Sequence, residues 1–320
     1  MISIIRDKSF MLNCPNRSIS SVTVVLFLLF SSCASDLNRI QLAEEYANLG
    51  GAYIKLRDMD GAISYLKRSL ELDEEDTETQ FNLAFALLSN KEIAEAQKIL
   101  ENLYTIDPSN SRVLELQAVA FQSANQFTAA LNKYKEILAI QPENSLARYN
   151  SAILLWDIDK PTLAISELKT LVEFYPNDKE ALYNLGVFLF ESGELSEATV
   201  ILSQYLEKEP NDVDALLAFA RVENRRSKYL ESLSAFDMAI NLLSEQDSRL
   251  REIYFERATI LLTKVEDPKA GLIALEKSFS KGFRDNKKII TLLEIDGLLE
   301  KQKVYDLVIY YNLDIITEDT

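Results

Sequence analysis

The chain has 320 residues, with 34 basic against 50 acidic side chains and a net charge of −16, a field that repels phosphate backbones and argues against a nucleic-acid partner. It contains no histidine, which removes imidazole metal sites, Ser-His-Asp and Cys-His nucleophile pairs and the usual neutral-pH proton shuttle. Its 48 % hydrophobic and 26 % charged residues fit a globular protein, while 8 Gly and 7 Pro are too few for glycine-rich phosphate loops or the tight turns of a sandwich, leaving an all-α chain.

At the N-terminus, Arg6, Lys8 and Arg17 precede the apolar run Val22 to Phe30, followed by the small residues Ser31, Ser32, Cys33 and Ala34. This is the three-part pattern of a secretory signal, and nine apolar residues fall well short of the roughly 20 that span a bilayer. A cysteine after a short apolar core and two small residues resembles the lipobox of bacterial lipoproteins in a loose form, with Phe30 and Ser32 at its variable places. That resemblance implies a signal peptide over 1–32, lipidation of Cys33, and a tether over 33–40 that reaches at most about 28 Å if extended. The alternative is an ordinary signal cut after Ala34, and Met11 is an alternative start to Met1. Losing residues 1–32 removes three basic residues and one acidic residue, taking the net charge from −16 to −18. It also leaves Cys33 as the single cysteine, so no disulfide forms within the mature chain.

From about residue 41 a period of 34 residues governs the sequence. Pro108, Pro142, Pro176 and Pro210 follow it, as do Ala62, Ala96, Ala130, Ala164 and Ala198, and the small residues Gly50, Ala84, Ala118, Ala152, Gly186 and Ala220. Within one unit, Leu182, Leu185, Gly186 and Leu189 recur at i, i+3, i+4 and i+7, which predicts a first amphipathic helix. After Gly193, Ala198, Leu202 and Tyr205 continue the helical period on a second helix that Pro210 ends. Asp76, Asn110, Asn144, Asp178 and Asp212 occupy one repeat position, where each can cap the next first helix. The small residues allow close approach of the two helices, and each pair buries its remaining apolar side against the next.

At these residues the chain resembles the tetratricopeptide repeat (TPR) family. The family pattern reads as Tyr46, Leu49, Gly50, Tyr53, Ala62, Leu66 and Ser69 in the first unit, with Glu74 where Pro is usual. In the fifth unit it reads as Leu182, Leu185, Gly186, Leu189, Ala198, Leu202, Tyr205 and Pro210. The resemblance implies a right-handed α-solenoid of about seven helix-turn-helix units over 41–278, starting at Ala43, Thr77, Ser111, Ser145, Lys179, Val213 and, after a four-residue slip, Arg251. The sixth unit departs with Ser232 in the alanine place and Ser244 for Pro, and the seventh with Lys277 at a small-residue place. Residues 279–320 read as a helical cap, with Phe279, Phe283, Ile289, Ile290, Leu292, Leu293, Leu298, Leu299, Val304 and Leu307 available to cover the last apolar face.

In this family the first helices line a concave face, so the resemblance assigns partner contacts to that face. Its sixth unit position holds Asn48, Asn82, Asn150 and Asn184, whose amides can offer donor and acceptor to an extended peptide backbone; asparagine is also simply common there in the family. Phe85, Trp156 and Phe190 are candidate anchors, whereas Phe81, Tyr149 and Tyr183 sit where the family often keeps an aromatic for packing. Arg221 and Arg225 form a positive spot in an acidic protein, suited to a partner's carboxylate. Ala47 and Gly51 occupy places where the family's carboxylate clamp needs Lys and Asn, so capture of a C-terminal carboxylate is not implied.

Catalysis finds no support. The acidic run Asp73 to Glu78 lacks the glycine and spacing of a calcium loop, and the adjacent Glu44 and Glu45 point to different sides of a helix. No metal or cofactor is called for. The reading is a non-enzymatic scaffold, a lipoprotein of the bacterial cell envelope, at the outer membrane or periplasmic side, holding a segment of another protein in its groove during assembly of an envelope complex. The alternative is a lipoprotein partner of a solute transporter, with Trp156 and Phe190 enclosing a small apolar ligand. A closed pocket favours the second, an open groove the first.

Overall fold

A computed structural model describes the backbone from residue 21 to residue 313 and side chains from residue 38. The expected signal peptide lies in part outside the described residues, 314–320 of the cap likewise, and nothing is described of the Cys33 side chain. Among the described residues there are helices and no strands: seven consecutive pairs followed by two short helices. The first helices are α1 (Ser21–Lys55), α3 (Thr77–Ser89), α5 (Ser111–Ser123), α7 (Ser145–Asp157), α9 (Lys179–Glu191), α11 (Val213–Arg225) and α13 (Leu250–Thr263). Their second helices are α2 (Met59–Leu72), α4 (Ile93–Ile106), α6 (Phe127–Ile140), α8 (Pro161–Phe174), α10 (Leu195–Leu206), α12 (Tyr229–Leu242) and α14 (Pro268–Ser280), before α15 (Asn286–Glu294) and α16 (Lys301–Tyr310). Residues 33–40 continue the backbone of α1, and eight helical residues rise about 12 Å. No helix among the described residues is long and apolar enough to cross a membrane.

Local chemistry sets the period. The five capping residues act as the sequence implies: the side chains of Asp76, Asn110, Asn144, Asp178 and Asp212 each accept from backbone N–H groups in the first turn of α3, α5, α7, α9 and α11. At the other end of the first helices from α1 to α11 a left-handed residue reverses the chain, and these recur every 34 residues as Arg57, Lys91, Asn125, Asp159, Gly193 and Ser227. The N–H of Lys91 donates to the Leu88 carbonyl and that of Glu92 to the Leu87 carbonyl, the paired bonds of a Schellman cap. Only one of these six positions is glycine, so most of the turns hold a side chain in a conformation that costs free energy.

The chain divides into two compact units, up to Lys133 and from Tyr134. In the first, Ala62, Ile63, Leu66, Leu83 and Leu87 pack together, with Ala84, Leu100, Val113 and Ala120 forming the next layer. A Cβ at Gly50 would sit 2.5 Å from Leu66 Cγ, which is why α1 and α2 cross so closely. In the second unit, Leu182, Tyr205 and Ala215 lead into a cluster around Phe236 and then into the cap, where Phe279, Phe283, Ile289, Leu292, Leu293, Leu298 and Val304 are buried together, while Ile290, Leu299 and Leu307 are half-buried.

The sixth repeat keeps its expected register and the seventh departs from it by one residue. Ser232, in an alanine place, is fully buried and its hydroxyl donates to the Ala220 carbonyl at 2.7 Å, so the polar atom is satisfied inside the helix contact. In the seventh pair the small-residue place is taken by Ser278, buried with its hydroxyl on the Arg251 carbonyl at 2.7 Å. Lys277 instead points outward, its ammonium 5.3 Å from the Tyr254 ring centre. The turn before α14 runs from Lys264 to Asp267, one residue longer than the Arg226 to Lys228 turn before α12, and this extra residue shifts the register by one.

Candidate functional site

In the first unit the helix α3 carries Asn82, half-buried, and Phe85, 39 % exposed, while α5 places Val119, 41 % exposed, at the equivalent position one repeat on. Asn48 lies exposed on α1. This face therefore combines free amides with accessible apolar groups on neighbouring first helices, as an extended peptide requires. Phe81 is not part of the accessible surface in the same way, because the Arg112 guanidinium lies 4.3 Å over its ring and is fixed there by two 3.1 Å bonds to Glu78.

In the second unit the corresponding face is occupied by the chain's own contacts. Asn184 donates from Nδ2 to the Tyr149 hydroxyl at 3.0 Å and to the Glu180 carbonyl at 2.9 Å, so its donor side is turned to the neighbouring helix instead of outward. Asn150 is half-buried one residue from Tyr149. Trp156 stacks on Phe188 with ring centres 3.9 Å apart, and Phe190 is only 7 % exposed, beneath the Arg225 guanidinium at 4.2 Å. The two rings expected to enclose an apolar ligand are thus engaged with Phe188 and Arg225. Arg221 binds both oxygens of Glu256, with its shortest contact 2.7 Å, so the carboxylate expected from a partner is supplied by the next repeat. Arg225 keeps the positive character of the expected spot: it is exposed and donates weakly to the Phe190 carbonyl at 3.5 Å.

Beside Asn184 lies an acidic recess of about 250 Å³ lined by Lys179, Glu180, Tyr183, Tyr205, Glu209, Asp212 and Asp214. Lys179 pairs with Glu209, and Asp212 accepts from the Tyr205 hydroxyl at 2.7 Å as well as from the Ala215 N–H. Burial, the bond to Asp212 and the charges of Asp212 and Glu209 all hold the Tyr205 phenol in its neutral form, well above its usual pKa. Burial and nearby carboxylates push Tyr183 and Tyr149 in the same direction. Such a recess favours donors and cations over anions. Among the described residues no group of three or more His, Cys, Asp or Glu side chains could hold a metal ion.

Sequence reasoning missed Val119, which stands 34 residues after Phe85 and could have been found by aligning the units. It also missed an apolar pocket of about 520 Å³ formed by Leu206, Pro210, Leu216, Phe219, Leu230 and Met238, between α10, α11 and α12. The available signal was Leu230 and Met238, two helical turns apart and off the buried stripe of α12.

Stacked helix pairs with first helices sharing a face define an α-solenoid of helical repeats. The family model described as the cytochrome c-type biogenesis protein H TPR domain matches residues 40–148, and the tetratricopeptide repeat model matches 122–185 and 159–222. The chain belongs to the tetratricopeptide repeat family. A solved TPR protein from Parabacteroides merdae is 17 % identical, with a TM-score of 0.54 over 79 % of this chain and 98 % of that one. The C-terminal part of a TPR repeat-containing protein from Cytophaga hutchinsonii is 14 % identical, with a TM-score of 0.67 over 78 % and 100 %. Pseudomonas aeruginosa PilF is 18 % identical, with a TM-score of 0.53 over 64 % and 93 %. At these identities the likeness is one of fold. No curated protein matches the chain. Repeats of this family support a protein–protein interaction scaffold, a role that is generally non-enzymatic.

Proposed function

We propose that this scaffold is a lipid-anchored protein of the bacterial cell envelope that holds an extended segment of another protein during assembly of an envelope complex. The observation that carries the binding half is the pairing of accessible Phe85 and Val119 beside Asn82 on neighbouring first helices of the first unit. Apolar anchors give affinity there while the amide serves the peptide backbone. The anchoring half is supported by the charged start, nine-residue apolar run and Cys33 of the sequence.

Two experiments test the halves separately. Metabolic labelling with a fatty acid is expected to mark the wild-type chain and not Cys33→Ala; an unlabelled wild-type chain overturns the anchor. Capture from detergent-solubilised membranes is expected to recover one protein with the wild-type chain that is lost with Phe85→Ser/Val119→Ser of equal helicity. Recovery unchanged by that variant removes the first-unit face from the binding site.

A further inference from the structure

We propose that α1 pairs this chain with a second copy of itself, antiparallel across a two-fold axis near Leu49. The starting point is a comparison between repeats. Leu49 occupies the unit position held by Leu83, Gln117, Ser151 and Leu185, which are 3, 3, 5 and 1 % exposed, yet Leu49 is 44 % exposed. The same contrast holds three residues on, where Ala86, Ala120 and Leu154 are at most 1 % exposed and Ala52 is exposed. In α3, α5, α9 and α11 this side packs against the preceding second helix. No helix pair precedes α1 among the described residues.

The uncovered side is apolar. Leu42, Leu49, Ala52 and Leu56 fall within one narrow stripe at 3.6 residues per turn, with Glu45 the single charge among them. What it needs is another helix, because that is what covers it everywhere else in the array. The charges beside the stripe select the occupant. Glu44 and Glu45 lie five and four residues before Leu49, Lys55 and Arg57 six and eight residues after it, and none of the four has an ion-pair partner among the described residues. Glu44 and Lys55 share one flank of the stripe by helical phase. A two-fold axis near Leu49 therefore carries Glu44 alongside the partner's Lys55, and Leu42 toward the partner's Leu56, each contact made twice. A parallel pairing would set like charges together. One helix pair is smaller than a standard stable interface, so the dimer is expected to be weak and concentration-dependent.

The test uses the full chain, purified in detergent, followed by sedimentation across a concentration series. Wild type is expected to pass from monomer to dimer. Leu49→Asp, with helicity checked as unchanged, is expected to raise the dissociation constant at least about tenfold by burying a charge in the seam. Glu44→Lys/Glu45→Lys and Lys55→Glu/Arg57→Glu are each expected to associate more weakly than wild type, and to form a one-to-one heterodimer when mixed. A wild-type chain that stays monomeric at every concentration overturns the proposal, as does association indifferent to Leu49→Asp. Charge variants that do not recover on mixing overturn the antiparallel arrangement.

Discussion

Arg221 on α11 grips both carboxylate oxygens of Glu256 on α13, two Nε contacts of 3.1 Å and one Nη2 contact of 2.7 Å, linking first helices 35 residues apart. The bond to Glu256 also holds the Arg221 guanidinium even more firmly protonated than usual. Because the Arg221 side chain is 40 % exposed, solvent screens the pair, and Arg221→Ala or Glu256→Ala is expected to cost only about 1 kcal/mol. The double variant should cost less than the sum of the two, as measured by urea unfolding in a double-mutant cycle.

A buried ionic contact gives a larger effect. Glu223 is 3 % exposed, accepts from the Thr199 hydroxyl, and takes a 2.9 Å bond from Arg226. Thirty-four residues earlier the same three places hold Ile165, Leu189 and Ser192. Arg226→Ala leaves the carboxylate unpaired and is expected to destabilise by about 3 kcal/mol, whereas Thr199→Ile/Glu223→Leu/Arg226→Ser is expected to be neutral or stabilising by about 1 kcal/mol or more. Thermal and urea unfolding of the two variants check the opposite signs.

The left-handed turns offer a test of backbone strain. Gly193 has φ 84° and open space where a Cβ would stand, while Lys91 holds φ 66° with a side chain. Lys91→Gly is expected to stabilise by about 1 kcal/mol and Gly193→Ala to destabilise by a similar amount. Shifts of the urea midpoint at constant slope measure both.

Phe85 and Phe190 should separate binding from folding. Phe85→Ala removes an accessible ring and is expected to leave stability within about 0.5 kcal/mol of wild type. Phe190→Ala empties a buried site beneath Arg225 and is expected to cost about 3 kcal/mol. Loss of partner capture without loss of stability is thus expected of the first variant alone.

Alkali should loosen the second unit. The raised Tyr205 pKa means that, above the unfolded value near 10.0, the unfolded chain gives up its proton while the folded chain keeps it. Stability is then complete below that pH and falls as pH rises through and beyond it. Tyr149 and Tyr183, also raised, act in the same direction. Tyr205→Phe is expected to flatten the decline in unfolding free energy above pH 10.0, followed by circular dichroism.

The period of the array was legible in the sequence because its causes are local. A proline after four of the second helices, a small residue at each crossing and an Asp or Asn before five of the first helices act within a few residues of themselves, and the starts of α3, α5, α7, α9 and α11 fall where those residues place them. The seventh pair slipped from that reading because a single extra turn residue, invisible to a pattern of fixed length, moved Ser278 into the place expected for Lys277. The candidate site was less legible for a related reason: a residue type at a repeat position tells which helix face it occupies, not what the neighbouring repeat sets against it.

The sequence by itself therefore determined the helical repeat, its caps and the face that each first helix presents, since these follow from spacing and backbone chemistry. Only the tertiary structure decided which side chains on that face remain available. Phe188 takes Trp156, Arg225 covers Phe190, Tyr149 takes Asn184 and Glu256 takes Arg221, whereas Phe85 and Val119 stay accessible. Those outcomes depend on distances between residues about 35 positions apart, which packing sets and the pattern along the chain does not.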